Sequence, residues 1–327
     1  MTEPGGRHLA YRQILAPTLV ALGLLAAPPS ATAAHLTFLG AVFDGVAGAD
    51  GLEHAQDLVV SPDGLHVYVV AEEEHAVALY ARDASSGALG FVQKWVDGVD
   101  GVDGIENPIG VAVSPDGAHV YATGSFDNGL AAFARDAGTG LLTFVEAKHN
   151  DVGGVIGLDN PGDVTLSPDG EHVYVTTWDD WGVVVFARDP ATGVLTFVEA
   201  EFDGGGATGL INATTVELSP DGKHVYVASE GSDAVAVFAR DAGSGELTFV
   251  EAEFDGMGGV DGLDGAVSVV VSPDGDHVYV GSLEDDAIAT FARNATTGAL
   301  TFVDATFDNT GDIDGLDRPL ALATSAD

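Results

Sequence analysis

The sequence contains no cysteine. No disulfide can staple it, so an exported chain of this kind must rest on its core, its hydrogen bonds or bound ions. Cations are scarce: 11 Lys and Arg stand against 51 Asp and Glu, for a formal net charge of −40. Such a surface repels nucleic acid and anionic lipid and leaves cations, cationic partners or a salt-rich medium as fitting company. Long stretches of helix-forming periodicity are missing beyond the N-terminal segment. The sequence has no G-x-S-x-G elbow, no zinc motif and no phosphate-binding glycine loop, so neither a nucleotide nor a redox cofactor is expected. A single apolar run, residues 14–27, follows Arg7 and Arg12 and precedes the small-residue stretch Ala31-Thr32-Ala33-Ala34. That order of charge, apolar core and cleavage site is the pattern of a signal peptide, and the run is too short for a stable transmembrane anchor. The expected division is therefore a signal peptide over 1–33 and a mature domain over 34–327. The mature domain would be secreted, periplasmic or held at the cell surface, without membrane insertion once the signal is removed.

What is present is repetition. The phrase Ser-Pro-Asp-Gly, one residue, then His-Val-Tyr begins at Ser61, Ser114, Ser167, Ser219 and Ser272, at spacings of 53, 53, 52 and 53 residues. Leu-Thr-Phe-Val, or a close variant, begins at Leu36, Leu89, Leu142, Leu195, Leu247 and Leu300. A period this long marks an array of one supersecondary unit. Residues 212–254 show its content. A β-branched run (strand a) ends in Ser219-Pro220-Asp221-Gly222, a type I turn with Pro presetting φ. His224 to Ala228 is strand b, and Ala234 to Ala239 is strand c. After a glycine-containing hairpin loop, Leu247 to Glu253 alternates apolar and polar as strand d. Four short antiparallel strands in about fifty residues describe a propeller blade. The expected fold is all-β: a β-propeller of four-stranded antiparallel blades, with five complete repeats of about 53 residues and a loose strand at each end. Those loose strands, near Leu36 and over 320–324, fit an incomplete six-blade-like ring and open a route to self-association.

Residues present in every repeat read as architecture. The five His of strand b, the Tyr two positions on and the Arg ending strand c (Arg82, Arg135, Arg188, Arg240, Arg293) are expected to serve packing, with each Arg paired locally to a carboxylate. Run together, the residues over 219–250 resemble the lactonase-type, or YVTN, propeller repeat, and the resemblance covers nearly all of 35–327. It implies the propeller fold and raises lactone hydrolysis as an activity. Members similar to 6-phosphogluconolactonase have seven blades and a Pro-Arg-His-like stretch entering strand a. Here the matching places read Asn107-Pro108-Ile109-Gly110, Asn160-Pro161-Gly162-Asp163 and Arg318-Pro319-Leu320, so no catalytic residue carries over.

Alternation of strand direction sorts the loops by face. The a–b and c–d turns share one face and are short and nearly constant. The b–c and d–a loops share the other and are acidic and variable, which makes that face the expected site. Asp-x-Asp-Gly loops can supply the oxygens calcium requires. The candidates are Asp312, Asp314 and Asp317, then Asp97, Asp100, Asp103 and Glu106. Trp178-Asp179-Asp180-Trp181 on a b–c loop is the candidate ligand surface, with Trp stacking on a sugar while the acids hold its hydroxyls. The leading expectation is a non-enzymatic acidic propeller that binds a cation, glycan or protein partner. A lactonase-like hydrolase and a structural surface-array protein are the alternatives.

Overall fold

The computed structural model describes residues 39–311 and 313–325, so the expected signal peptide, the strand near Leu36 and Asp312 lie outside the described residues. Five four-stranded antiparallel sheets follow one another along the chain. Blade one holds β1 (Ala55–Val60), β2 (His66–Ala71), β3 (Ala76–Arg82) and β4 (Leu89–Val96). Blade two holds β5 (Val111–Val113), β6 (His119–Gly124), β7 (Gly129–Arg135) and β8 (Leu142–His149). Blade three holds β9 (Pro161–Leu166), β10 (His172–Thr177), β11 (Gly182–Arg188) and β12 (Leu195–Phe202). Blade four holds β13 (Ala213–Leu218), β14 (His224–Ser229), β15 (Ala234–Arg240) and β16 (Leu247–Phe254). Blade five holds β17 (Ala266–Val271), β18 (His277–Ser282), β19 (Ala287–Arg293) and β20 (Leu300–Phe307). The fold is the expected propeller, with five complete blades. Residues 320–324 form no strand ladder. They nevertheless lie along blade five, where the Leu322 N–H donates to Ser268 Oγ at 3.0 Å.

Within a blade, burial decides which strand goes where. Strands b are apolar on both faces and wholly buried in blades one to four, as in His172–Thr177. Strands d alternate and take the half-solvated outer edge. The pairing of strands c and d slips by one residue at the same place in every blade, for example between Val185 and Phe186. That bulge sharpens the twist of the outer edge. Four of the five core clusters among the described residues span two adjacent blades, and the fifth lies in blade one and the segment leading into it. Tyr121, Leu130 and Ala132 of blade two pack with Val164, Val173 and Phe186 of blade three. The apolar face of each sheet is thus covered by its neighbour, and a blade cannot bury its core alone.

Blades are also joined by a polar clamp that the local-pairing expectation did not reach. Arg135 crosses from blade two to blade one. It donates to the Tyr68 hydroxyl at 2.8 Å, to Asp63 Oδ2 at 2.7 Å and lies 2.8 Å from His66 Nδ1. Its partner carboxylate is 72 residues away, in the preceding Ser-Pro-Asp-Gly turn. Arg188, Arg240 and Arg293 repeat the contact on Asp116, Asp169 and Asp221. Each Tyr hydroxyl passes its proton on to a glycine carbonyl of the next blade, as Tyr121 does to Gly193 at 3.0 Å. Gly193 has φ +77° and the His119 ring lies where a Cβ would go, so the repeated Gly of the c–d turn is required by backbone and by packing. Arg82 donates only to Gly64 O among the described residues. At the other end Asp274, His277 and Tyr279 meet no guanidinium among them, and His277 stacks on Tyr279.

Candidate active site in the central channel

The inner strands β1, β5, β9, β13 and β17 stand side by side in chain order. On β13 Thr215 and Glu217 are half-open while Val216 and Leu218 are buried. Two layers of side chains face the channel. The first is Asp57, Gly110, Asp163, Thr215 and Ser268, and the second is Val59, Ala112, Thr165, Glu217 and Val270. A cavity of about 250 Å³ opens between four blades, lined by Val59, Val113, Asp163, Thr165, Val216 and Glu217 among others. Gly110 keeps blade two tight against blade three here, since a Cβ would lie 2.8 Å from Gly162 O.

The first layer has an architectural duty. Asp57 Oδ2 accepts the Val111 N–H at 2.9 Å, and Asp163 Oδ2 accepts the Val216 N–H at 3.0 Å. Thr215 and Ser268 do the same for Val269 and Leu322 with hydroxyls. A carboxylate is therefore not needed at this place, since Ser and Thr perform the same task without charge. Burial pushes all three channel carboxyls up. Asp163 rises to about 6, held there by two backbone N–H bonds. Asp57 rises to about 7, through burial and then the charge of Asp163. Glu217, with no backbone donor, rises to about 8 for the same two reasons. At neutral pH the cavity holds an ionised Asp163 beside a Glu217 that keeps much of its proton, the arrangement that acid–base chemistry needs.

This site is not on the loop face that the sequence reading favoured. A sequence signal did exist. Glu217 stands where the other four blades carry Val59, Ala112, Thr165 and Val270, and Asp57 and Asp163 stand where the others carry Gly, Thr and Ser. Comparing strand a position by position would have found all three.

The candidates on the loop face are placed as follows. Asp97 and Asp103 come together with Asp127 in a triad of carboxylates, without Asp100 or Glu106. Asp44, Asp50 and Glu74 form the matching triad of blade one, and Asp255, Asp261 and Asp285 that of blade five. Two of the three already meet a basic side chain of the protein: Lys94 Nζ lies 2.9 Å from Asp50 and contacts Glu74, and His149 Nε2 lies 3.2 Å from Asp103. Asp314 and Asp317 are exposed or nearly so and join no such triad among the described residues. On the b–c loop of blade three, Asp180 accepts the Asp159 N–H at 3.0 Å and Asp179 accepts from Asn160 at 3.3 Å. Those acids brace the d–a loop. Trp178 is half-buried, and Trp181 is exposed at φ +53°.

The model of the family "Lactonase, 7-bladed beta-propeller" matches residues 54–212, the first three blades. The 6-phosphogluconolactonase of Klebsiella pneumoniae is 30% identical over 139 residues, 41% of this chain and 37% of that protein. The enzyme of the same name from Bacillus subtilis is 27% identical over 153 residues, 45% of this chain and 40% of the relative. The aligned stretch thus spans about two-fifths of each relative's length. Among solved structures, the periplasmic gluconolactonase of Pseudomonas aeruginosa superposes with a TM-score of 0.65 at 21% identity, covering 84% of this chain and 75% of that one. Over residues 54–212 the repeat is similar to that of the lactonase-type propellers. These findings favour the lactonase-like alternative over the binding module that led the sequence reading. No described helix is long and apolar enough to cross a membrane.

Proposed function

We propose that this propeller hydrolyses a lactone in its central channel. The observation that carries the reading is the convergence of Asp57, Asp163 and Glu217 from three blades, with pKa values spread about neutrality. The lactonase-type repeat supports it. Asp163, the most acidic of the three, serves as general base. It takes a proton from water as the water oxygen attacks the lactone carbonyl carbon. Glu217, protonated below about pH 8, donates a hydrogen bond to the carbonyl oxygen as charge gathers there. When the tetrahedral intermediate collapses, the ring C–O bond breaks and Glu217 gives its proton to the departing alkoxide. One water and one lactone yield one hydroxy acid. Positioned proton transfer of this kind is worth about 10²–10⁴ in rate. The expected export across a membrane is kept as part of this proposal.

The test is turnover of a panel of five- and six-membered lactones by the wild type and by Asp163→Asn and Glu217→Gln. A drop in kcat of about 10²-fold or more in each variant, with the fold intact by circular dichroism, is expected. Wild-type rates in both variants would overturn the assignment.

A further inference from the structure

Resting on that reading, we infer that the channel takes uncharged lactones and rejects phosphorylated ones. The argument is a census of positive charge. The described residues hold nine Lys and Arg, and each has a partner away from the cavity. Arg135, Arg188, Arg240 and Arg293 are locked in the inter-blade clamps. Arg82 is bound to Gly64 O. Lys94 lies between Asp50 and Glu74, Lys148 on Glu146, Lys223 near Asp221 and Arg318 on Glu284. Among the described residues no Lys, Arg or His lines the cavity.

Backbone donors could replace them, since oriented N–H groups alone can hold a phosphate. In this channel they are already engaged. The N–H groups of Val111 and Val216 go to Asp57 and Asp163, and that of Val269 goes to Thr215. The anion-binding capacity of the inner strands is satisfied by the protein's own carboxylates. A phosphate dianion entering the cavity would meet the ionised Asp163 in a partly desolvated space and find no cation to offset the repulsion. A neutral polyol ring meets carboxyls and Thr165 that can bond its hydroxyls. Size agrees, since about 250 Å³ lies below the ~300–1,000 Å³ of typical ligand sites and suits one unextended ring. The same field acts on the product. Ring opening converts a neutral lactone into a carboxylate, which the channel repels, so chemistry and release are coupled by one charge.

The experiment measures binding and turnover separately. Calorimetric titration uses the lactam isostere of glucono-1,5-lactone, which resists hydrolysis, and its 6-phosphate ester. Turnover uses the two corresponding lactones. The neutral lactam is expected to bind at least about a hundredfold tighter than the phosphate ester at low ionic strength. The gap should narrow as salt rises to about 0.5 M, where exposed charges are screened within a few ångströms. Thr165→Lys, which places one cation in the cavity, should improve phosphate-ester binding about tenfold or more. Equal or tighter binding of the phosphate ester to the wild type would overturn the inference, and so would failure of the neutral lactam to bind. Selective lactam binding without turnover of the neutral lactone would sustain the selectivity and remove the hydrolase reading alone.

Discussion

The inter-blade clamp makes a sharp forecast because the repeat supplies its own control. In Arg188→Ala the guanidinium, whose side chain is 1% exposed, is replaced by a void. Four contacts vanish: to the Tyr121 hydroxyl at 3.0 Å, Gly170 O at 2.8 Å, Asp116 Oδ2 at 2.9 Å and His119 Nδ1 at 2.7 Å. Tyr121 keeps its bond to Gly193 O, and Asp116 is exposed enough to be hydrated. Gly170 O and His119 Nδ1 are left unpaired. An orphaned buried polar atom costs about 1–3 kcal/mol, and two are left here. The expected loss is about 3–5 kcal/mol. Arg82→Ala removes the same side chain at the same repeat position. Among the described residues it forfeits one side-chain bond, to Gly64 O at 3.0 Å, and on that footing should cost less than about 1 kcal/mol. Urea unfolding followed by tryptophan fluorescence reads both, with the slope m checking that the transition keeps its cooperativity. Losses within 1 kcal/mol of each other would refute the claim that the clamp carries the inter-blade energy.

Three further outcomes follow from the same geometry. Gly193→Ala sets a Cβ against the His119 ring at φ +77° and should lower stability by about 2–4 kcal/mol. The paired substitution of Gly87, whose Cβ would meet only the movable Leu39 side chain, should cost about half as much. Lys94→Met leaves Asp50 and Glu74 facing each other without an ammonium and should cost about 1 kcal/mol at low salt, much of it recovered in about 0.5 M NaCl. Stability should also peak on the acid side of neutrality. Asp116 and Asp221 are held down at about 2 by Ser hydroxyls and the clamp guanidinium against the opposing effect of burial. Their contribution is full above the ordinary carboxylate range and is lost as pH falls from about 4 to 2. The channel carboxyls run the other way: folded values of about 6 to 8 exceed the unfolded ones, so the native state holds protons the unfolded chain has released, and stability falls as pH rises from about 4 to 8. A melting profile that rises from pH 5 to 8 would contradict this.

The blade could be read from the sequence because each of its signals is local. Pro220 and Gly222 fix a turn within four residues, and Leu247 to Glu253 shows its edge position by alternation. The partner of Arg188 could not be read in that way. Asp116 is 72 residues distant, and pairing with the adjacent Asp189 is equally compatible with the sequence. Only the superposition of one blade on the next brings the end of strand c over the preceding turn. The channel was missed for a different reason. Strand a reads as a short apolar strand in any single repeat, and its function lies in the residues that differ between repeats, Asp57, Asp163 and Glu217. Loops drew attention by their acidity, yet in a chain with 51 Asp and Glu a surface carboxylate says little. A carboxylate on the innermost strand, where burial opposes charge, says much more.

The two kinds of channel carboxyl separate architecture from chemistry. Asp163 is tied into the frame by the Val216 and Val164 N–H groups, one on each carboxylate oxygen, and Asn can accept only one of them, so its replacement should cost stability as well as rate. Glu217 has no backbone donor, and its charge is opposed by burial and by Asp163. Its passage from an ordinary value near 4.5 to about 8 corresponds to at most about 5 kcal/mol of unfavourable charging at high pH, at about 1.4 kcal/mol per tenfold change in proton affinity. Nothing in the fold requires that cost, because Val59, Ala112, Thr165 and Val270 fill the same position in the other blades. Glu217→Gln should therefore raise stability at pH 8 by about 1–3 kcal/mol, leave it unchanged at pH 4, and lower turnover near neutrality about 10²-fold or more. A gain in stability joined to a loss of activity marks a residue retained for its chemistry. If the substitution destabilised the protein at pH 8, Glu217 would instead belong to the scaffold, and the general acid of the channel would have to be Asp57.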